Sequence, residues 1–332
     1  MKIIGIGNAL VDILYRLDDE HLLSEIHLKK DAMTLINERW EHEIEDMTAD
    51  IEKRMSSGGS IGNTMLALAR LENESAFIGR VGRDGMGDFF EQKLNDAGVH
   101  TQLIRGNEMT GVAHTFITPG GSRTFGTMLG AAYYMGPDDI SVDMFRGYDL
   151  LHIEGYLVQN QDLIESICQK AKQAGLILSL DLSSFNVVSK NRTYFHHLIS
   201  DYIDIVFANE DESFAYTHLN PEEAVENIAQ QCDIAIVKVG KRGSYVRQGA
   251  QLHHIGAITS SCLDSTGAGD LYAGGFLHAL SDGFDLRRCG EIGTIAAGRV
   301  VEIVGTKLPE ETWDEIRRIC ALYRGFMHKL KF

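Results

Sequence analysis

Short apolar runs alternate along this chain with stretches in which apolar residues recur every three or four positions. The runs at 2–7, 76–81, 150–153, 176–181, 204–208 and 234–239 are too short for helices and predict buried strands. Between them the spacing predicts helices over 63–71, 87–97, 162–174 and 222–231. Strands that alternate with helices predict a mostly parallel sheet covered on both faces. Two stretches break this rhythm. Residues 13–50 are charged and lack a strong strand pattern. Residues 110–128 alternate through Val112, His114, Phe116 and Thr118, turn at Pro119-Gly120-Gly121, then alternate again through Thr124 and Phe125, which predicts a hairpin. Together they predict a small flap appended to the main sheet.

Near the C-terminal third, Asp264-Ser265-Thr266-Gly267-Ala268-Gly269-Asp270 runs into a helical pattern in which Ala273, Phe276, Leu277 and Leu280 share one face. Glycines at the start of a helix expose its unpaired N–H groups, and the dipole adds to their pull on an anion. Asp270 lies in the middle of that cradle. A carboxylate beside a phosphate site suits one task, taking the proton from a hydroxyl that attacks phosphorus. The plainer alternative is a Gly-rich turn capped by Asp270.

Other short motifs narrow the chemistry. Gly5-Ile6-Gly7-Asn8-Ala9-Leu10 carries Leu10 where a dinucleotide fingerprint needs a small residue. Asn8 and Asp12 are instead placed at the carboxyl end of the first strand, where an amide and a carboxylate suit neighbouring hydroxyls. Gly58-Gly59-Ser60-Ile61-Gly62 fits the spacing of a serine-hydrolase elbow, but 52–56 is a poor buried strand. Read with Asn63, it is a tight turn entering a helix. Asn209 and Glu212, three apart after a strand, offer hard oxygen donors of the kind Mg²⁺ accepts through water. The alternative is an acid-rich helix start. Gly240-Lys241-Arg242 is not a Walker A loop.

The 332 residues are 44% hydrophobic, enough for a sizeable core. Acidic residues outnumber basic ones by 47 to 31, for a net charge of −16, which disfavours nucleic acid and anionic membranes as partners. Five scattered cysteines without zinc or redox spacing predict reduced thiols in a cytoplasmic protein. The N-terminus lacks signal-peptide character, and no apolar run approaches the ~20 residues of a membrane span.

Four blocks in order, 5–12, 58–71, 209–212 and 264–270, with Ile78-Gly79-Arg80-Val81-Gly82 through Gly87 between them, resemble the ribokinase-like (PfkB) family of sugar and nucleoside kinases. Within it the chain is most similar to adenosine kinases, through Gly7–Asp12, Gly58-Gly59-Ser60 with Asn63, Arg123 with Leu129-Gly130-Ala131-Ala132, Gly155-Tyr156, and 204–210. The resemblance implies a three-layer α/β/α domain (1–12, 51–109 and 129–332) with a small β lid (13–50 and 110–128). It implies ATP and Mg²⁺-dependent transfer to a primary hydroxyl of a ribose-containing molecule, adenosine first, with a ribose or fructose kinase as the alternative. It further implies Asp270 as base and Gly267, Ala268 and Gly269 as the anion hole. Asp12, Gly59 and Asn63, with Asn8 nearby, would hold ribose hydroxyls. Met33, Leu35, Tyr156 and Phe185 would wall the acceptor's ring. Position 33 is polar in some adenosine kinases, so Met33 implies grip by stacking and backbone contacts. Arg123 would approach the phosphates on closure. Lys238, Gly240 and Gly243, with Thr266, would border the nucleotide. Asn209 and Glu212 would organise the Mg²⁺ waters, and Asp264 with Thr266 a monovalent cation such as K⁺. A monomer and a homodimer are both compatible with this reading.

Overall fold

The computed structural model describes residues 1–30, 33–119 and 123–329, and of residues 33, 123 and 326–329 the backbone alone. Its strands are β1 (Ile3–Ile6), β2 (Leu10–Arg16), β3 (Met33–Leu35), β4 (Lys53–Ser57), β5 (Ser75–Gly82), β6 (Val99–Gly106), β7 (Thr110–Ile117), β8 (Arg123–Gly130), β9 (Leu150–Glu154), β10 (Ile177–Asp181), β11 (Ile205–Asn209), β12 (Ile234–Lys238), β13 (Ser244–Gln248) and β14 (Gln251–Ile255). They form two sheets. The large one has the order β14-β13-β12-β11-β10-β9-β1-β5-β6. It is parallel from β12 to β6 and ends in the antiparallel pair β13 and β14.

The six apolar runs of the sequence are β1, β5, β9, β10, β11 and β12. They read as near-continuous apolar segments because both faces of this sheet are covered. On one face Ile3 and Phe77 pack with Ile61 and Met65 of the Ser60–Arg70 helix and with Phe276 of the Ala268–Ser281 helix. On the other, Ile4, Ile6 and Leu151 pack with Ile164 and Ile167 of the Gln161–Gln173 helix and Leu198 of the Phe185–Tyr202 helix. Each fully buried side chain of this size contributes about 1.5–3 kcal/mol relative to exposure.

The small sheet has the order β3-β8-β7-β2-β4. The 110–128 hairpin is present as the antiparallel pair β7 and β8. Its turn at 120–122 lies outside the described residues. Here the structure corrects the sequence reading. Residues 13–50 contain most of β2, all of β3 and the Glu38–Met47 helix, and 53–57 forms an edge strand. The pattern hid these strands because they alternate with charge or are very short. The sheet also begins at Leu10 and runs to Gly130, wider than 13–50 and 110–128. Asp12 therefore belongs to β2 of the small sheet and not to the end of the first strand.

One face of the small sheet buries Ile13, Tyr15, Val112, His114 and Phe116 under the Glu38–Met47 helix. Tyr15 stacks on Phe116 with ring centroids 4.8 Å apart. The Tyr15 hydroxyl meets His114 Nδ1 at 3.1 Å, and His114 Nε2 meets Glu41 Oε2 at 2.5 Å. His114 and Glu41 are both buried. Alternation along β2 puts Asp12 and Leu14 on the opposite, open face. The five cysteines are free thiols, and among the described residues no helix is long and apolar enough to cross a membrane.

Truncating His114 strands a buried carboxylate. His114→Ala is expected to destabilise the protein by about 3–5 kcal/mol in urea denaturation. A loss below about 1 kcal/mol would show that the contact with Glu41 adds nothing beyond a typical net hydrogen bond.

Candidate active site

The parallel strands of the large sheet deliver polar residues to one edge. Asn8 follows β1, Glu154 ends β9, Asp181 ends β10, Asn209 ends β11 and Lys238 ends β12. Carboxyl ends of this kind are where open α/β sheets bind ligands. Against that edge lies the start of the Ala268–Ser281 helix, with Gly267 as its N-cap at φ 74°. A side chain at 267 would press on Thr306 Cγ2, 2.5 Å from an added Cβ, so glycine is required for both conformation and space. The Ala268 N–H turns back to Ser265 O at 3.2 Å. The Gly269 and Asp270 amides belong to the first turn, whose N–H groups have no partner within a helix.

Asp270 is gripped from the Ser60–Arg70 helix. Ser60 Oγ donates to Oδ1 at 2.7 Å and Asn63 Nδ2 to Oδ2 at 2.9 Å. Thr64 Oγ1 donates to the Asp270 carbonyl at 3.1 Å. Asn63 is oriented in turn by Thr306 Oγ1 and Lys307 Nζ, which donate to its Oδ1 at 3.1 and 3.0 Å. Withdrawal from water raises the Asp270 carboxyl to about 6, against the Asn63 and Ser60 hydrogen bonds. Each carboxylate oxygen keeps a second lone pair, so the group can still accept a proton from a hydroxyl.

Asp12 lies over Gly58, where a side chain would overlap its carboxylate. The Gly58 N–H donates to Leu10 O at 2.8 Å and ties the two segments together. Burial raises Asp12 to about 6, with the Lys307 charge acting the other way. Gly59 packs against the Asn8 carbonyl. Asn8 itself is held by Glu154, which accepts from the Asn8 amide at 2.9 Å and from its side chain at 2.7 Å. Glu154 is buried, which pushes it up to about 7.

Lys238 Nζ donates to Asp181 Oδ2 at 3.0 Å and would lie 3.1 Å from a Cβ at Gly269. It thus sits beside the helix start. Gly240 opens the following turn. Gly243, at φ 94°, lies so close to Ile255 O that any side chain would overlap it. Asn209 and Glu212 form a reciprocal cap. Asn209 N and Nδ2 donate to Glu212 at 2.7 and 2.8 Å, and Glu212 N donates to Asn209 Oδ1 at 2.8 Å. Glu212 is raised to about 7 by burial and then by the nearby Asp181 charge. Asp264 is buried and accepts from the Thr266 and Gly305 amides at 2.9 and 2.7 Å.

The residues expected to wall the acceptor come from both sheets. Leu35 is 58% exposed and lines a depression of about 520 Å³ with Thr127, Leu129, Tyr133 and Tyr134. Tyr156 and Phe185 are not among its lining residues. The Tyr156 hydroxyl bonds the Ser184 side chain, one residue before Phe185. The side chains of Met33 and Arg123 lie outside the described residues. Their backbones pair with Phe125 and Ile117.

Sequence reasoning missed Ser60 in this role, and also Glu154, Asp181, Thr306 and Lys307. The rule that strand ends carry ligand groups points to Glu154 and Asp181. No local pattern points to Lys307. Two rival readings fall. β1 leads into β2 and not into a helix, so no dinucleotide loop forms. Ser60 follows an edge strand and its hydroxyl bonds a carboxylate, which is not a nucleophile elbow.

The sequence model of a family described as pfkB family carbohydrate kinase matches residues 33–313. The crystal structure of adenosine kinase from Sinorhizobium meliloti superposes with a TM-score of 0.84 at 33% identity, over 96% of this chain and 99% of that one. A probable sugar kinase from Rhizobium etli CFN 42 superposes with a TM-score of 0.85 at 32% identity, over 96% and 98%. The ATP-dependent ribose-1-phosphate kinase of Halopiger xanaduensis is 31% identical over 261 residues, 74% of this chain and 82% of that protein.

Because the folded pKa of Asp270, about 6, lies above the ordinary 3.8, its contribution to stability is full below about pH 4 and lost as pH rises through 6. Asp270→Asn removes that loss and keeps a shape Ser60 and Asn63 can bond. The variant is expected to be more stable than the parent near pH 8 by about 1–3 kcal/mol, with the difference vanishing near pH 4. Equal stability at both pH values would contradict a desolvated carboxylate.

Proposed function

Since the chain belongs to the pfkB family of carbohydrate kinases and is an ATP-dependent phosphotransferase, we propose that it phosphorylates a primary hydroxyl of a ribose-containing small molecule, adenosine before any other. The observation that carries this reading is the Asp270 carboxylate, fixed by Ser60 and Asn63 at the amide-bearing start of a helix.

In the proposed reaction the acceptor lies between the two sheets. Asp12 on the open face of the small sheet accepts hydrogen bonds from the ribose diol, and Asn63 retains one amide hydrogen for the same sugar. Asp270 takes the proton of the attacking hydroxyl as its bond to phosphorus forms. The first-turn amides around Gly269 stabilise the charge on the transferring group. Lys238 neighbours that helix start and adds positive charge on the nucleotide side, along the border with Gly240, Gly243 and Thr266. Arg123, at the start of β8, is proposed to reach the phosphates when the small sheet closes and expels water.

Mg²⁺ is proposed to enter with ATP, where it would neutralise phosphate charge. Among the described residues no three His, Cys, Asp or Glu side chains form a metal site by themselves. The donor chemistry fits an ion held mainly by phosphates and water. Asn209 and Glu212 would orient those waters, using lone pairs left over by their mutual cap. Asp264 and Thr266 would order K⁺ behind the helix start.

Similarity to the Sinorhizobium meliloti adenosine kinase supports a nucleoside acceptor, as do the exposed apolar surfaces of Leu35 and Phe185. The ribose-1-phosphate kinase relative supports the second reading, a sugar acceptor with the same transfer chemistry.

An ADP-release assay with ATP and Mg²⁺ across adenosine, inosine, ribose, fructose and ribose 1-phosphate separates the two. Turnover is expected with adenosine, and 2′-deoxyadenosine is expected to lose at least about tenfold in kcat/KM, because Asp12 would face no hydroxyl. Turnover with a free or phosphorylated sugar alone would move the acceptor to the second reading. Equal rates for adenosine and its deoxy form would remove the diol clamp.

A further inference from the structure

We propose that Lys307 is a positioning residue for phosphoryl transfer: facing Asp12 and Asp270, it fixes the orientation of Asn63 on the base and lends both carboxylates a nearby positive charge. This rests on the reading of Asp270 as the base.

The geometry begins with a carboxamide that could present either end to its neighbours. Lys307 Nζ and Thr306 Oγ1 both donate to Asn63 Oδ1. Two donors on the oxygen leave one orientation, and in it Nδ2 faces Asp270 Oδ2. Turned over, the amide would set its oxygen against a carboxylate oxygen. Lys307 thus governs a hydrogen bond on Asp270 that it does not itself make.

Charge acts in the same direction. The ionised groups that face Lys307 are Asp12 on β2 and Asp270 on the Ala268–Ser281 helix, while Asn63 and Thr306 are neutral. Burial lowers the ammonium to about 8 against the pull of both carboxylates. Lys307 is therefore charged at neutral pH. Turnover should rise as Asp270 ionises near 6.

The test measures kcat and acceptor KM from about pH 5 to about pH 10 for the parent, K307M, K307R and D270N. The acceptor is adenosine, or whichever acceptor the screen above identifies. K307M keeps the length of the side chain without its charge, and is expected to lose about tenfold to hundredfold in kcat with a smaller change in KM. Its acid limb should move to higher pH, because Asp270 loses a stabilising cation. K307R keeps the charge and a donor for Asn63 Oδ1, so it should recover much of kcat and the parental acid limb. Parental kcat with an unmoved acid limb in K307M would overturn the proposal, and so would a K307R no better than K307M. If K307M does not fold, K307Q takes its place: it keeps a donor without the charge, so its acid limb should move to higher pH, and an unmoved limb would overturn the proposal. Parental turnover in D270N would instead overturn the base assignment, whatever the Lys307 variants do.

Discussion

A carboxylate withdrawn from water at the start of a helix is held by two opposing forces. Burial disfavours its charge, while the helix end and hydrogen-bond donors favour it. At Asp270 the balance settles near 6, so the group is ionised at neutral pH yet remains basic enough to accept a proton. The surroundings follow from that balance. Gly267 must be glycine for the helix to begin against Thr306. Ser60 and Asn63 must share one face of a second helix to hold both carboxylate oxygens. Thr306 and Lys307 must fix which end of Asn63 points at Asp270. Segments some 200 residues apart in sequence, |i−j| 207 for Asn63 and Asp270, are thereby bound into one constellation.

The two sheets divide the work. The large sheet is apolar on both faces and supplies a rigid edge, with Asn8, Glu154, Asp181 and Lys238 at successive strand ends. The small sheet is covered on one face only, where Tyr15, His114 and Glu41 lock it to a helix. Its other face, carrying Asp12 and Leu35, stays open to whatever enters between the sheets. An open apolar face costs stability in the free protein and is what an acceptor with a flat ring would cover. Glu154 extends the same logic: a buried carboxylate is kept to orient Asn8 at the junction of the two sheets.

What the chain reveals before folding depends on how local each feature is. β1, β5 and β9–β12 are legible because strands buried on both faces read as unbroken apolar runs. β2 and β4 are not, since charged residues interrupt them, and β3 is too short to leave a pattern. Gly267 and Asp270 are legible because a glycine-rich helix start has a local signature. Glu154 and Asp181 needed only the strand-end rule. Lys307 carries no local signal, since its role comes from a contact with Asn63 across 244 positions. The residues named for the acceptor wall come from both sheets, which no local pattern reveals. The structure places Leu35 with Tyr133 and Tyr134, and Tyr156 with Ser184 beside Phe185, because the first belongs to the small sheet and the second to the large one.

The central claim is that Asp270 acts on the reacting hydroxyl and contributes little to holding the acceptor. Single-turnover phosphoryl transfer by Asp270→Ala, with acceptor affinity measured by calorimetry on the same protein, tests it most directly. The account predicts a rate lower by about 10²–10⁴ with acceptor binding preserved within a few-fold. A near-parental rate, or a loss confined to binding, would contradict it.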